Sequence, residues 1–306
     1  MKSGFRFAAF VMTYERPDIL INTLRQLQGQ SLPPEIIIVV DNSDSNETSQ
    51  LLDTLNFEKV NYLRVGYNSG PAGAAKIGLE KLTAMGYQWI YWGDDDDPPA
   101  SEQDFEILFG GIEILQRKGV KLGIFGGKGG RLNRLTGRIS SLSNKELKEA
   151  PYLDVDLVPG GQNMLVNAEV VKAGILPDER LFFGFEELDF CLKVKSAGFK
   201  IYIDADNWFR TRVRSGNVAK NYRWRDHSFG NREYLQREFY STRNLLQIYY
   251  RHKFFFAFFY FLLKSIAKMV LGYRFGRNYG KKMFLSQWKA LKAFVQQDFS
   301  RRLKPN

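Results

Sequence analysis

Apolar and polar positions alternate along the chain as short buried runs, polar turns and helical stripes. Phe7-Ala8-Ala9-Phe10-Val11-Met12 is continuously apolar, as expected of a strand covered on both faces. Thr13 to Pro17 breaks it, and Leu20, Leu24 and Leu27 then recur at helical spacing. Glu35 to Val40 reads as a second strand, ending in a polar knot from Asp41 to Asn46 before a helix bearing Leu51, Leu52 and Leu55. Val60 to Val65 is a third strand, Gly66 to Gly73 a loop, and Ala75, Leu79, Leu82 and Met85 mark the next helix. A fourth, aromatic strand from Gln88 to Trp92 runs through Gly93 into Asp94-Asp95-Asp96-Asp97, where Pro98 and Pro99 stop it. Ser101 with Asp104 gives a capping pattern, and Phe105, Leu108, Phe109, Ile112 and Leu115 form the stripe of the helix that follows.

Strands and helices alternating at this spacing predict an α/β fold with right-handed crossovers. Its sheet is Rossmann-like and mostly parallel, with helices on both faces. On that plan Tyr14, Arg16, Asp41, Asn68 and Asp94 lie just past strand ends, on one edge of the sheet, and define one cleft. The first strand–helix turn carries no glycine, which disfavours a dinucleotide dehydrogenase and a P-loop enzyme. Beyond about residue 120 the rhythm changes. Leu122 to Gly127 is a glycine-ended strand, and Thr136-Gly137 makes a hairpin turn inside an excursion from Arg131 to Glu149. Asp154 to Val158 returns to the sheet and enters Pro159-Gly160-Gly161-Gln162-Asn163, a loop suited to close backbone approach.

Two acidic stretches carry the candidate chemistry. Four adjacent carboxylates repel one another, and strand alternation points Asp94 and Asp96 the same way. A hard cation, Mg²⁺ or Mn²⁺, held by one or two carboxylates plus substrate phosphates, suits such a turn; a solvated acidic turn is the alternative. The second stretch, Phe182 to Phe190, contains Glu186, Glu187 and Asp189 and reads as a helix start. Acids there are favoured by the helix dipole alone. The aromatics and glycine before them, however, can desolvate a carboxylate and tune it as a base.

Composition narrows the classes. With 306 residues, 44% of them hydrophobic and 15% aromatic, the chain has ample material for a core. The single cysteine, Cys191, excludes a disulfide framework and a thiolate cluster, and two histidines, His227 and His252, leave little for zinc or a Ser-His-Asp arrangement. No signal-peptide pattern opens the chain, so a cytoplasmic setting is the expectation. The net charge of +11 is uneven: from Asp226 onward 16 Lys and Arg face 4 Asp and Glu, whereas residues 1–225 carry 28 basic against 29 acidic. The chain therefore divides into a near-neutral body, 1–225, and a basic, aromatic helical region, 226–306. In that region Lys253 and Lys264 bracket ten apolar residues, short of the ~20 needed to span a bilayer. An aromatic, basic helix suits lying at the inner membrane surface; packing on the body, or on another subunit of a homo-oligomer, is the alternative. Nucleic-acid binding competes as a class because basic and aromatic residues interleave, but they do so only here, away from the acidic cleft. Sugar nucleotidyl transfer is a second rival; it needs a Gly/Arg/Lys-rich first loop, and Thr13 to Pro17 offers only Arg16.

The set Phe10 to Pro17, Val39 to Ser43, Asn68 to Gly73, the acidic turn, and Phe185 to Lys193 resembles, in order and spacing, glycosyltransferase family 2. Its nearest likeness is to bacterial rhamnosyl- and galactofuranosyltransferase-like members. The resemblance spans most of 5–215 and implies a GT-A fold with a C-terminal helical extension. It implies inverting, metal-dependent transfer from a nucleotide sugar, UDP- or dTDP-linked, to a saccharide or lipid-linked acceptor in polysaccharide synthesis. By the same resemblance Thr13, Tyr14, Arg16, Asp41, Asn68, Gly70 and Gly73 contact the nucleotide sugar together with Asp94 and Asp95. Asp94 and Asp96 hold Mn²⁺ or Mg²⁺, and Gly160, Gly161, Gln162 and Asn163 face donor sugar and acceptor. Glu186, Glu187 and Asp189 form the catalytic acidic set, with Glu187 the base. Two departures stand out. Asn207 to Arg212 holds no histidine where some relatives place a metal ligand, which leaves Arg210 or Arg212 to neutralise diphosphate instead. A glutamate also replaces the usual aspartate at the base position, extending its reach by roughly 1.5 Å.

Overall fold

The computed structural model describes residues 6–216 and 235–300; His227 lies outside them. Strands β1 (Phe7–Thr13), β2 (Ile37–Asp41), β3 (Val60–Arg64) and β4 (Trp89–Asp94) alternate with helices α1 (Pro17–Gln28), α2 (Glu47–Leu55), α3 (Gly70–Ala84) and α4 (Asp104–Arg117). The second half supplies β5 (Leu122–Gly126), β8 (Tyr152–Asp154), β9 (Met164–Asn167), α6 (Ala168–Lys172), α7 (Glu186–Ser196), β10 (Lys200–Asp204) and α8 (Ala205–Arg214). Eight strands form one sheet in the order β3-β2-β1-β4-β9-β5-β10-β8. The pairings β1–β2, β1–β4, β2–β3 and β5–β10 are parallel, while β9 and β8 run antiparallel to their neighbours.

The continuous apolar runs are explained by two cores. Ala8, Phe10, Met12, Ile90 and Trp92 face the layer containing α3 and α7, while Phe7, Ala9, Val11, Trp89 and Tyr91 face α1 and α4. Both faces are covered, so neither strand can carry polar positions. The stripes on α1 and α4 are buried as their spacing predicts.

Local expectations differ in several places. Helix α3 starts at Gly70, inside the expected loop, and Leu55 and Met85 at the ends of α2 and α3 face solvent. Ser101 does not cap α4. Instead the Asp104 carboxylate turns back to the amides of Ala100 and Ser101 at 2.8 and 3.3 Å. The strand expected over Asp154–Val158 is the shorter β8, and β9 follows the glycine loop unannounced, because four residues are too few to reveal a period. The excursion folds into a hairpin, β6 (Gly130–Leu132) with β7 (Ile139–Ser141), followed by α5 (Asn144–Leu147), whose start has a Ser143–Glu146 capping box.

Three helices close the chain: α9 (Leu235–Arg251), α10 (Phe255–Leu271) and α11 (Arg277–Val295). Leu245, Ile248 and Tyr249 of α9 and Ala257 of α10 are buried in the same core as Phe10 and Trp92. Between the helices, Glu238 accepts hydrogen bonds from Lys268 and Gln287. The outer side of α10 is different: Phe256, Phe259, Leu263 and Val270 are all more than half exposed. Helical residues Phe255–Phe275 are long and apolar enough to cross a membrane by length and composition, with an 18-residue stretch of mean hydropathy 1.6 that runs past Lys264.

Candidate active site

The register of the parallel strands sets the site: Thr13 lies opposite Asp41, and Met12 opposite Asp94, so β1, β2 and β4 end together. The loops above them are stitched side to side. Glu15 accepts from the amides of Asp44 and Ser45 at 2.7 and 2.9 Å, and its own amide donates to Ser43 Oγ at 2.8 Å. Asp41 is fully buried, accepting from the Ser43 amide and the Tyr62 hydroxyl at 2.8 and 2.9 Å. Burial and that contact push the Tyr62 hydroxyl up to about 12. Asn42 ties β2 to the start of α3, accepting from Ser69 Oγ at 2.7 Å and donating to the Gly70 carbonyl at 3.2 Å. Asn68 accepts from the Gly70 amide at 2.9 Å. Gly70 has φ +69°, and a β-carbon there would collide with the Phe182 carbonyl; one on Gly73 would meet Ser69 Cβ at 2.6 Å.

The four aspartates have separate environments. Asp95 is buried, accepting from Thr13 Oγ1 at 2.7 Å and pairing with Arg16, while its carbonyl accepts from Thr23 Oγ1 at 2.5 Å. Arg16 also reaches the exposed Asp96 at 2.8 Å, so one guanidinium spans two acids. Tyr14, half-buried, lies between Thr13 and Arg16 in sequence, just past the end of β1. Burial raises Asp95 even against Thr13 and Arg16. Asp94 is pushed up to about 8, first by burial and then by the charges of Glu187, Asp96, Asp95 and Asp97. Asp97, pushed up to about 6 by burial, accepts from Gln162 Nε2.

The glycine loop joins this turn to the second acidic stretch. A β-carbon on Gly161 would stand 3.1 Å from Asp94 Oδ2, and one on Gly160 would stand 3.3 Å from Glu187 Oε1 and 3.0 Å from the Trp92 indole nitrogen. Two bare backbone positions thus lie against Asp94 and Glu187, carboxylates 93 residues apart in sequence. Asn163 fixes the far end of the loop, donating to Asp104 at 3.0 Å. Glu186 is buried with its Oε2 unpartnered, and burial with the neighbouring charges of Glu187 and Asp94 lifts its pKa well above the carboxylate range.

Asp189 stands apart from that group. Two residues on from Glu187, it is rotated about 200° around α7. It is fully buried against Lys193 (2.7 Å), Arg251 (2.8 Å) and His252 (3.1 Å). Burial alone would raise its pKa; the hydrogen bond from His252 and the charges of Lys193 and Arg251 outweigh it and hold the carboxyl below the usual range. Arg210 pairs with Asp206, and buried Arg212 donates to Asn144 and Ser141 at 3.0 and 2.9 Å, so both expected diphosphate partners have other contacts. No site role was legible in the sequence for Thr23, Asn42, Asp104 or Arg251; Asn42 lay inside a strand-end motif and Asp104 in a capping pattern, while Thr23 and Arg251 carried no local signal.

The carboxylates suit a divalent cation by chemistry, since Asp94 is crowded by like charge that a cation would relieve. Among the described residues no group of three or more His, Cys, Asp or Glu side chains could hold a metal by itself. Asp94 and Asp96 would therefore supply two ligands, with substrate oxygens or water completing the shell. A cavity of about 720 Å³ beneath β3, between Leu52 and Met85, is lined by none of these groups.

A mostly parallel sheet with acids on its carboxyl edge, a glycine loop and a second acidic helix start make up a GT-A type of fold. The family model described as glycosyl transferase family 2 matches residues 9–173, and the chain belongs to that family. Galactofuranosyltransferase GlfT1 of Mycolicibacterium smegmatis is 26% identical over 209 residues, which cover 62% of this chain and 65% of that protein. A GalNAc(5)-diNAcBac-PP-undecaprenol beta-1,3-glucosyltransferase of Campylobacter jejuni is 26% identical over 37% of this chain and 34% of its own length. The matched segments thus span less than two thirds of each relative. Among solved structures, a Pyrobaculum calidifontis mannosyltransferase in complex with GDP-Man and Mn²⁺ has a TM-score of 0.52 at 11% identity, covering 96% of this chain and 88% of that one. Residues 1–349 of TarS from S. aureus give 0.50 at 13% identity, covering 97% and 93%. At such identities the likeness is one of fold.

Proposed function

We propose that this chain is an inverting glycosyltransferase. It moves a sugar from a UDP- or dTDP-sugar to a hydroxyl of a saccharide or lipid-linked saccharide during cell-surface polysaccharide synthesis. The observation that carries this reading is the convergence of Glu187 and Asp94 on the bare Gly160–Gly161 backbone, which sets the candidate base beside the candidate cation site. Glu187 accepts the proton of the acceptor hydroxyl as its oxygen attacks the anomeric carbon. The new C–O bond forms as the bond to the diphosphate breaks, and its electron pair leaves on the nucleoside diphosphate. Mn²⁺ or Mg²⁺ held by Asp94 and Asp96 would offset the charge of that leaving group. Thr13 and Arg16 act partly through Asp95, whose position they fix, while Tyr14, Asp41, Asn68, Gly70 and Gly73 border the nucleotide. Gln162 and Asn163 hold the glycine loop against donor sugar and acceptor.

Thermal shift with UDP-, dTDP- and GDP-sugars, each with and without Mn²⁺, tests the donor side, because a ligand of the native state raises its stability. A metal-independent shift with every nucleotide would refute the Asp94/Asp96 assignment. Release of nucleoside diphosphate, as against pyrophosphate, separates this reading from nucleotidyl transfer.

The C-terminal region rests the enzyme on the cytoplasmic face of the inner membrane. Supporting this are the exposed Phe256, Phe259, Leu263 and Val270 on α10 and the basic residues of 226–306, each adding about 1 kcal/mol near an anionic surface. Full-length protein should float with phosphatidylglycerol vesicles at low salt, and Phe256→Glu with Phe259→Glu should abolish it. Flotation unaffected by both substitutions would remove the membrane from this reading.

A further inference from the structure

The segment that delivers Glu186 and Glu187 is held from the C-terminal helices as firmly as from the sheet. It passes through Phe182 (φ 61°) and Phe185 (φ 67°), left-handed conformations that residues with a β-carbon rarely adopt. Such a path needs external support. One side chain reaches three of its carbonyls: Asn244 Nδ2, at the middle of α9, lies 2.9, 3.0 and 2.9 Å from the carbonyls of Leu181, Phe183 and Gly184, which share its two N–H donors. Arg243 sets that amide, donating from Nε to Asn244 Oδ1 at 3.0 Å and from Nη2 to the Leu181 carbonyl at 3.0 Å. Both residues are buried. Two α9 turns further on, Arg251 bridges Asp189 of α7 and Asp178, which precedes the segment. From the opposite side the Phe182 carbonyl accepts the Ala72 amide of α3 at 3.3 Å.

We propose that α9 is the positioning element for the candidate base. Asn244 and Arg251 clamp the two ends of the 181–189 segment, and so set where the Glu187 carboxylate stands relative to the Gly160–Gly161 backbone. The proposal rests on the reading of Glu187 as base, and neither clamp residue is assigned contact with substrate. It also gives the C-terminal region a task besides contact with a surface: through α9, whatever seats α10 and α11 is mechanically continuous with the acidic pair.

The test uses the full-length chain. Asn244→Asp keeps the volume and the oxygen that receives Arg243 Nε, but removes the amide donors that hold three carbonyls. Thr242→Val is the control: on the same helix it deletes a buried 2.9 Å hydrogen bond to Gln287 of α11, away from the segment. Two readouts are compared: hydrogen exchange of amides 182–187, and kcat against KM for nucleoside diphosphate release from UDP-glucose and UDP-galactofuranose with Mn²⁺. Asn244→Asp should speed exchange at 182–187 about tenfold and lower kcat about 10–100-fold with KM nearly unchanged, because a misplacement near 1 Å costs that much. Thr242→Val should lower Tm while leaving both readouts at the wild-type level. Arg251→Lys, which keeps one cation but cannot bridge both aspartates, should reproduce the kcat loss. Wild-type exchange at 182–187 in Asn244→Asp, or equal effects from Asn244→Asp and Thr242→Val, would overturn the clamp. Glu187→Gln measured alongside separates the two claims: if it retains turnover, the base assignment falls, and the exchange comparison alone judges the clamp.

Discussion

The two acidic stretches are alike in composition and opposite in how their charge is balanced. At Asp94–Asp97 the acids outnumber the cations that touch them: Arg16 pairs with Asp95 and Asp96, and Asp94, Asp95 and Asp97 are all raised. At Glu186–Asp189 the charge is sorted within one helical turn. Asp189 takes Lys193, Arg251 and His252 and is lowered, while Glu186 is buried with no cation paired to it among the described residues and is raised. A carboxylate that the protein has fully paired holds the fold together. One that it has left crowded and underpaired holds free energy that a cation, a proton or a substrate can release. By that criterion Asp189 ties α7 to α9, and Asp94 carries the crowded charge of the first stretch.

The contrast can be broken at several points. Glu187→Gln should cost about 10²–10⁴-fold in kcat, the usual worth of a general base, with nucleotide affinity kept; substantial residual turnover would remove the base from the second stretch. Asp189→Asn should destabilise the protein by about 3 kcal/mol, the upper end for hydrogen bonds to a charged group, since it removes the buried charge that Arg251, Lys193 and His252 share while Arg251 keeps Asp178. Urea unfolding reads that loss, and a loss no larger than that of a surface substitution would show that the pairing is idle. Thr13→Val should cost about 1.5–3 kcal/mol, the worth of a hydrogen bond to a charged group, by releasing Asp95.

The smallest expected effect is also the most diagnostic, because its sign is reversed. Asp94 binds its proton more tightly folded than unfolded, so between about pH 4 and pH 8 the native state holds a proton that the unfolded chain has lost. Its contribution to stability therefore falls as pH rises through that window and is level above it. Asp189 has the opposite sign: its contribution is present above the ordinary carboxylate range and is lost as pH falls through its lowered folded value. Asp94→Asn should raise Tm by a few degrees at pH 8 and by less at pH 5. Mn²⁺ should do the same for the wild type and nothing for the variant. A lowered Tm in Asp94→Asn at pH 8 would contradict the crowding.

Much of this was legible along the chain. Runs such as Phe7–Met12 and Trp89–Trp92 can only be strands buried on both faces, because they offer no polar face to water, and the acids and Asn68 follow from where such strands end. Leu20, Leu24, Leu27 and the stripe from Phe105 to Leu115 fixed two helices and their inward faces by period alone. The sequence determined which residues were chemically notable and on which edge they gather. It could not rank neighbours of the same type. That Asp95 turns inward to Thr13 while Asp94 faces Glu187, and that Asp189 pairs with Arg251, depends on partners 62 to 93 residues away. Electrostatic roles are set by distance in space and by desolvation, neither of which a run of aspartates and glutamates records. Only the packing of α7 on α9, and of the glycine loop between the two acidic stretches, decided which of them pair and which remain crowded.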